Sequence, residues 1–327
     1  MYPGLEDRAL RPEHRATLAE LGEVLDPVAL NSMSEKRADE VLARADVLLA
    51  HWGCVPVDAA LLARAPHLRM VAYAAGTVKD SIAPEVFERG ILVTSGAAAN
   101  AVPVAEFTLA AILFSGKDVF GARERLRSNA DPDVVLPTRR RPVGNLAKRI
   151  GLIGASHVGR SVIELLRPFR LEVLLADPYV DGPIAAELGV RMVGLPELLE
   201  TSDVVSVHAP ALPETRHLIG VDELRRMTDG STLINTARGS LLDHDALVRE
   251  LRTGRLHAVL DVTDPEPLPP DHELLRLPNA FVTPHLAGSQ GTELTRMAEL
   301  VLEEIRRFGA GRPPLHPVTA GDLGRIA

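Results

Sequence analysis

Short runs of Val, Leu, Ile and Ala recur along the chain, each followed by a stretch whose apolar residues fall at helical spacing. In the first part, DVLLAHW, LRMVAYA and ILVTS read as strands, with DAALLARA and APEVFER as helices between them. Short apolar runs bounded by turn residues suit buried strands better than helices. A second series begins at KRIGLIG and continues through LEVLLAD, RMVGL, DVVSVHA, STLINTA, HAVLDV and AFVTPH. Helical stretches such as GRSVIELLRPF, DHDALVRELRTG and HELLRL separate its members. Strands alternating with helices predict an α/β protein with parallel sheets. Two series predict two domains, one from 1–100 plus 287–327 and the other from 101–286. The second part of the first domain rests on the final stretch. There Leu294, Met297, Leu300 and Val301 are spaced as one helical face, placed to cross back onto the first domain after the last strand.

Composition narrows the function classes. Among 327 residues the net charge is -8, which argues against a nucleic-acid or anionic-membrane surface. Aromatics make up 3%, so the core must be aliphatic. The single cysteine, Cys54, rules out an internal disulfide and a multi-cysteine metal site, and fits a reducing, cytoplasmic location. The apolar run Val104–Gly116 carries Glu106 and is shorter than a bilayer span, so no membrane segment is expected. The segment 117–147 is polar and Pro-containing and reads as an arm or long connection. Its run Arg139–Arg140–Arg141 reads as a solvated face or dimer contact rather than a phosphate site.

The stretch RIGLIGASHVGRSVIELL is a strand, a tight glycine turn and a helix. Such a turn lets backbone N–H groups meet a pyrophosphate at a helix N-terminus. Gly154 and Gly159 match the outer glycines of a G-x-G-x-x-G pattern, and Ser156 stands where the middle one belongs, beside His157 and Val158. A Cβ at Ser156 predicts weakened or displaced cofactor binding, not its loss. Asp177 ends the next strand, where a carboxylate would accept from the adenosine ribose hydroxyls and repel a 2′-phosphate. NAD is therefore the expected cofactor, and the fold class becomes two Rossmann-like, doubly wound parallel-sheet domains with a cleft between them.

Three further residues end predicted strands: Arg238 in INTARGSLLD, Glu266 in LDVTDPEPLP and His285 in FVTPHLAGS. A cation, a carboxylate and an imidazole form a set able to bind and protonate a 2-oxo acid. With GILVTSGAAANAVPVAEFTLAAIL, SDVVSVHAPALPETRHLIG and the glycine turn in the same order, the chain resembles the D-isomer-specific 2-hydroxyacid dehydrogenase family from about Leu48 onward. That resemblance implies NAD-dependent interconversion of a small 2-oxo acid and a D-2-hydroxy acid. Arg238 would bind the carboxylate bidentately and polarise the oxo group. His285 would be the general acid in reduction, with Glu266 orienting its ring and keeping it protonated. Ala75, Gly76 and Thr77 resemble the turn whose N–H groups hold the substrate carboxylate, although Val78–Lys79–Asp80 departs from the family's Gly-Val-Asp ending. Asp261 resembles the nicotinamide carboxamide contact, and His208, Pro210, Thr215, Thr236 and Gly288 match cofactor-lining positions. His51 and Trp52 follow a first-domain strand, where Trp52 lines either the substrate pocket or the core.

The resemblance also implies a homodimer formed through the NAD domains, by the helix from Val102 and the 117–147 arm. Two other readings share the fold. Formate dehydrogenases carry Gln where this chain has Glu266, and formate oxidation needs no acid/base pair. An NAD(H)-sensing corepressor would keep the same three residues without needing turnover.

Overall fold

The computed structural model describes residues 4–30, 32–128 and 143–324. The Arg139–Arg141 run lies outside them. The chain divides into two compact units, Met1–Ala101 with Ser289–Ile326, and Val102–Gly288.

In the first unit the strands β1 (Val47–Ala50), β2 (Met70–Tyr73) and β3 (Leu92–Ser95) are parallel neighbours in that order. Their aliphatic side chains pack with Leu61, Leu62, Val78 and Val86 from the connecting segments. The helix Leu294–Gly309 buries Leu294, Met297 and Val301 of the anticipated stripe, together with Ala298 and Leu302, while Leu300 is half-buried. Its Glu304, 1% exposed, accepts from the backbone N–H groups of Leu315 and His316 and so ties down the chain that follows.

The second unit holds seven parallel strands: β4 (Arg149–Ile153), β5 (Glu172–Ala176), β6 (Arg191–Met192), β7 (Val204–Val207), β8 (Thr232–Asn235), β9 (His257–Leu260) and β10 (Ala280–Val282). Every run of the second series forms one of them. Their order is β10-β9-β8-β7-β4-β5-β6, and numbered within the unit its last six strands in space contain the 3-2-1-4-5 core of the doubly wound order, read from β6 inward. The chain reverses direction across the sheet between β4 and β7. Ligands of such sheets bind outside the carboxyl ends of the strands at that switch point. β7 and β8 are buried at every position, which requires the continuous apolar runs seen in the sequence.

Three features differ from the reading of the sequence. The run near Val104 belongs to a 20-residue helix, Ala97–Gly116, longer than the apolar stretch alone. By length and composition it matches a membrane span. It contains Pro103 and Glu106, however, and buries Val104, Ala105, Thr108, Ala111 and Ile112 in the protein, as a core helix does. The segment after 117 opens with another helix, Val119–Ser128, rather than an irregular arm. Finally, a two-residue strand, β11 (Pro317–Val318), pairs antiparallel with β3.

Candidate active site

The glycine turn sits between β4 and the helix His157–Leu166, whose Gly159, Val162, Ile163 and Leu166 form one buried face. Gly154 adopts φ +97, and a Cβ there would lie 2.8 Å from the Ala209 nitrogen. A Cβ on Gly159 would collide with the carbonyl oxygen of Gly154. Gly154 is required by its left-handed backbone, and Gly159 by the close packing of helix on turn. Ser156 is unstrained, at φ -63 and ψ 179, and caps the helix by accepting from the Gly159 N–H at 3.4 Å. His157 and Ser156 are exposed at this helix start, and Val158 is half-buried. Backbone that a side chain would obstruct, together with an open helix N-terminus, is what a pyrophosphate needs. The residues present thus fit a dinucleotide.

Asp177, at the end of β5, is partly committed. One carboxylate oxygen accepts from the Ala155 N–H and the other from the Tyr179 N–H, both at 2.7 Å. It braces the glycine turn, and the remaining lone pairs are what a ribose would meet. His208 lies beneath the turn, 3% exposed, with Nε2 3.0 Å from the Ser206 hydroxyl. Burial pushes its pKa down to about 4, so the ring is neutral. Its Nδ1 is buried without a hydrogen-bond partner among the described residues. The Thr215 hydroxyl donates to the Pro210 carbonyl at 2.6 Å and accepts from the Leu212 N–H, closing the loop after β7. Thr236 is buried and its hydroxyl lies 3.0 Å from that of Thr108, which donates to the Val104 carbonyl.

Arg238 follows β8 and is half-buried, with one guanidinium nitrogen donating to the Ala237 carbonyl at 2.7 Å. The turn that presents it is built by Asn235, which carries no signal in the sequence. The Asn235 amide donates to the Arg238 carbonyl and its oxygen accepts from the Ala237 N–H. Gly239 is required next, because a Cβ there would collide with the backbone of Thr263 and Asp264. Close approach at Gly239 thus brings the Arg238 turn against the segment leading to Glu266.

His285 and Glu266 meet. His285 Nδ1 lies 2.5 Å from Glu266 Oε1, and both side chains remain open to solvent, at 50% and 39%. The carboxylate oxygen accepts, so Nδ1 carries a proton and Nε2 is the ring nitrogen left to face a substrate. His285 itself has φ +52. Asp261, 2% exposed, secures that conformation with three bonds to its carboxylate: the Thr283 hydroxyl at 2.6 Å and the Leu286 and Ala287 N–H groups at 2.9 Å. Gly288 closes the same segment and the unit.

In the first unit the register of β1 and β2 continues past the strands, with the Ala74 N–H donating to the Ala50 carbonyl at 2.7 Å. His51 therefore lies opposite Ala74, and the bond from the Cys54 N–H to the His51 carbonyl turns the chain at Trp52–Gly53. The Ser95 hydroxyl donates to the Gly76 carbonyl at 2.7 Å, and a Cβ on Gly76 would sit 3.6 Å from the side-chain nitrogen of Asn100. The Asn100 oxygen accepts from the Ser289 N–H, tying the start of the helix Ala97–Gly116 to the chain entering the last helix. Asn100, too, is silent in the sequence.

Comparison with known proteins identifies the family. The model of the D-isomer specific 2-hydroxyacid dehydrogenase NAD binding domain matches residues 110–287. A glyoxylate reductase of Korarchaeum cryptofilum is 34% identical over 260 residues, 79% of this chain and 78% of the relative. The chain belongs to the D-isomer specific 2-hydroxyacid dehydrogenase family. A D-3-phosphoglycerate dehydrogenase of Methanocaldococcus jannaschii is 29% identical over 303 residues, 92% of this chain but 56% of that enzyme, so the chain spans little more than half its length. The TT0316 protein from Thermus thermophilus has a crystal structure that aligns with a TM-score of 0.75 at 33% identity, covering 95% of this chain and 98% of that one. As a family member the chain is an NAD-dependent 2-hydroxyacid dehydrogenase, with NAD as its cofactor.

Proposed function

We propose that the protein reduces a small 2-oxo acid to a D-2-hydroxy acid with His285 as the proton donor. The observation that carries this reading is the 2.5 Å contact between His285 and Glu266. The carboxylate fixes the ring through Nδ1 and compensates the imidazolium that acts as the acid. Nε2–H donates its proton to the carbonyl oxygen at C2. In the oxidative direction Nε2 takes that proton back. The Arg238 guanidinium pairs with the substrate carboxylate and draws electron density from the oxo group. Within the first unit, the N–H groups of Ala75, Gly76 and Thr77 are read as carboxylate-binding groups. Bound NAD(H) supplies or accepts the hydride at C2. Gly154, Ser156, Gly159 and Asp177 hold its pyrophosphate and ribose, with Asp177 selecting NAD over NADP.

Formate chemistry would have no use for a proton donor, so the His285–Glu266 contact favours the hydroxyacid reaction. The first unit is read as the substrate domain, the second as the NAD domain, and the location as cytoplasmic. A homodimer through the second unit is supported by an exposed aromatic row. Phe114, 50% exposed, lies 5.9 Å from Phe120, which lies 4.6 Å from Phe281, 37% exposed.

The test is NADH oxidation with glyoxylate, hydroxypyruvate, pyruvate, phenylpyruvate and 2-oxoglutarate, beside Arg238→Ala and His285→Ala. Turnover lost in both variants, with NADH still bound, supports the reading. Turnover that survives in His285→Ala refutes the acid assignment.

A further inference from the structure

The loops after β1, β2 and β3 form the carboxyl edge of the first unit's sheet, and their chemistry restricts the substrate. We infer that the substrate is a 2-oxo acid whose tail beyond C2 carries no charge, with Trp52 as the residue that meets it. The inference rests on the reading that the 75–77 segment holds the substrate carboxylate.

A phosphate or second carboxylate is held most tightly by charge-assisted bonds from an arginine or lysine placed against it, and an unpaired buried anion is costly. Neither 51–55 nor 74–78 contains one. After β1 come His51, Trp52, Gly53, Cys54 and Val55, and after β2 come Ala74 through Val78. The next residue, Lys79, is exposed and followed by exposed Asp80. On the helix Leu294–Gly309, Leu294 and Met297 turn toward the cluster that Trp52 packs on, while Arg296 lies off that buried face.

The titratable base at this edge does not act as a cation. His51 is 1% exposed, and its Nδ1 accepts from the Trp52 N–H at 2.8 Å, so the proton of the neutral ring sits on Nε2. Burial pushes its pKa down to about 4. The Nε2–H has no partner among the described residues, and a charge on that ring would be still less well served. The ring stands edge-on to Trp52, with centroids 4.9 Å apart and planes at 69°. His51 thereby positions Trp52, through the backbone bond and the ring contact, at the turn that follows β1. The indole packs against two apolar clusters of this unit and stays partly exposed, and that exposed part is what a substrate tail would meet.

Pairs of acids that differ only in tail charge test this. The pairs are 2-oxopentanoate against 2-oxoglutarate, and hydroxypyruvate against 3-phosphohydroxypyruvate. The reading expects kcat/KM for the uncharged member of each pair to be higher by about 100-fold or more. Trp52→Arg should narrow that ratio by about tenfold, and Trp52→Phe should preserve it. A purely structural Trp52 would lower all four acids in parallel and leave the ratio where it was, which would overturn its assignment. A charged member used as well as its partner would overturn the inference while leaving the proposed reaction standing. No reduction of any acid, with NADH bound, would remove both.

Discussion

Asp261 holds the turn that carries His285. The backbone N–H of His285 donates to the Asp261 carbonyl at 2.8 Å, and the Asp261 carboxylate takes donors from Thr283, Leu286 and Ala287 on both sides of it. A buried carboxylate at the end of β9 is thus the fixture on which an exposed histidine at φ +52 is mounted. Any contact of Asp261 with nicotinamide has to use lone pairs these bonds leave over.

This arrangement makes Asp261→Asn informative. An amide keeps one acceptor and turns its NH2 toward a donor, either the Ala287 N–H or the Thr283 and Leu286 pair. A buried donor facing a donor costs about 1–3 kcal/mol. Urea unfolding should show a loss of that size, and kcat should fall about tenfold or more as His285 leaves its register. Wild-type stability in the variant would show that the three bonds contribute little.

The His285–Glu266 contact separates two roles. His285→Asn removes the proposed proton donor and should lower kcat by about 10²–10⁴-fold, with the NADH dissociation constant little changed. Glu266→Gln retains an acceptor for Nδ1–H but not the carboxylate, and should cost about 10–100-fold. Single-turnover reduction followed by NADH absorbance measures both. Equal kcat in Glu266→Gln and wild type would reduce the glutamate to a spacer.

Legibility from sequence tracks how local each cause is. The seven strands of the second unit are readable because each is a short apolar run, and the glycine turn because Gly154 and Gly159 both meet backbone at close range. β11 is invisible, since Pro317–Val318 lies in the proline-containing stretch GRPPLHPV, where no apolar run marks a strand. The helix Val119–Ser128 leaves little trace because Gly121 is the one residue of it fully buried. Asn235, Asn100 and the bracing role of Asp261 are hidden for another reason. Each acts by hydrogen bonds to backbone groups brought close by the fold, and neither spacing nor residue type encodes those partners.

Ser156 tests how closely the cofactor follows the turn. Its extended backbone needs no glycine, so the cost of a Cβ falls on the approaching pyrophosphate, and its hydroxyl occupies the Gly159 N–H at 3.4 Å. Ser156→Gly should tighten NADH binding about two- to fivefold while lowering stability by a few tenths of a kcal/mol, roughly the loss of a serine cap replaced by glycine. Gly159→Ala should act in the opposite sense, weakening NADH and destabilising the fold by about 1–3 kcal/mol through overpacking. Fluorescence titration of NADH beside thermal melts distinguishes these. Weaker NADH binding in Ser156→Gly would mean that the hydroxyl aids the cofactor rather than obstructing it.

Two of the buried histidines contribute most clearly to the response to acid. His51 and His208 have pKa values pushed from 6.5 down to about 4 by burial. Well above pH 6.5 each ring is neutral in both folded and unfolded chains and contributes no pH dependence. Below it the unfolded chain takes up the proton first, because the folded ring resists until about pH 4. Stability must therefore fall with falling pH across this window, by at most about 1.4 kcal/mol per pH unit for each histidine. Urea unfolding at neutral pH and at two steps into that window should show the decline in the wild type. His51→Gln and His208→Gln should each have a shallower slope, whatever their stability at neutral pH, because a residue that does not titrate cannot link folding to protons. Slopes identical to wild type in both variants would assign the acid sensitivity to other groups.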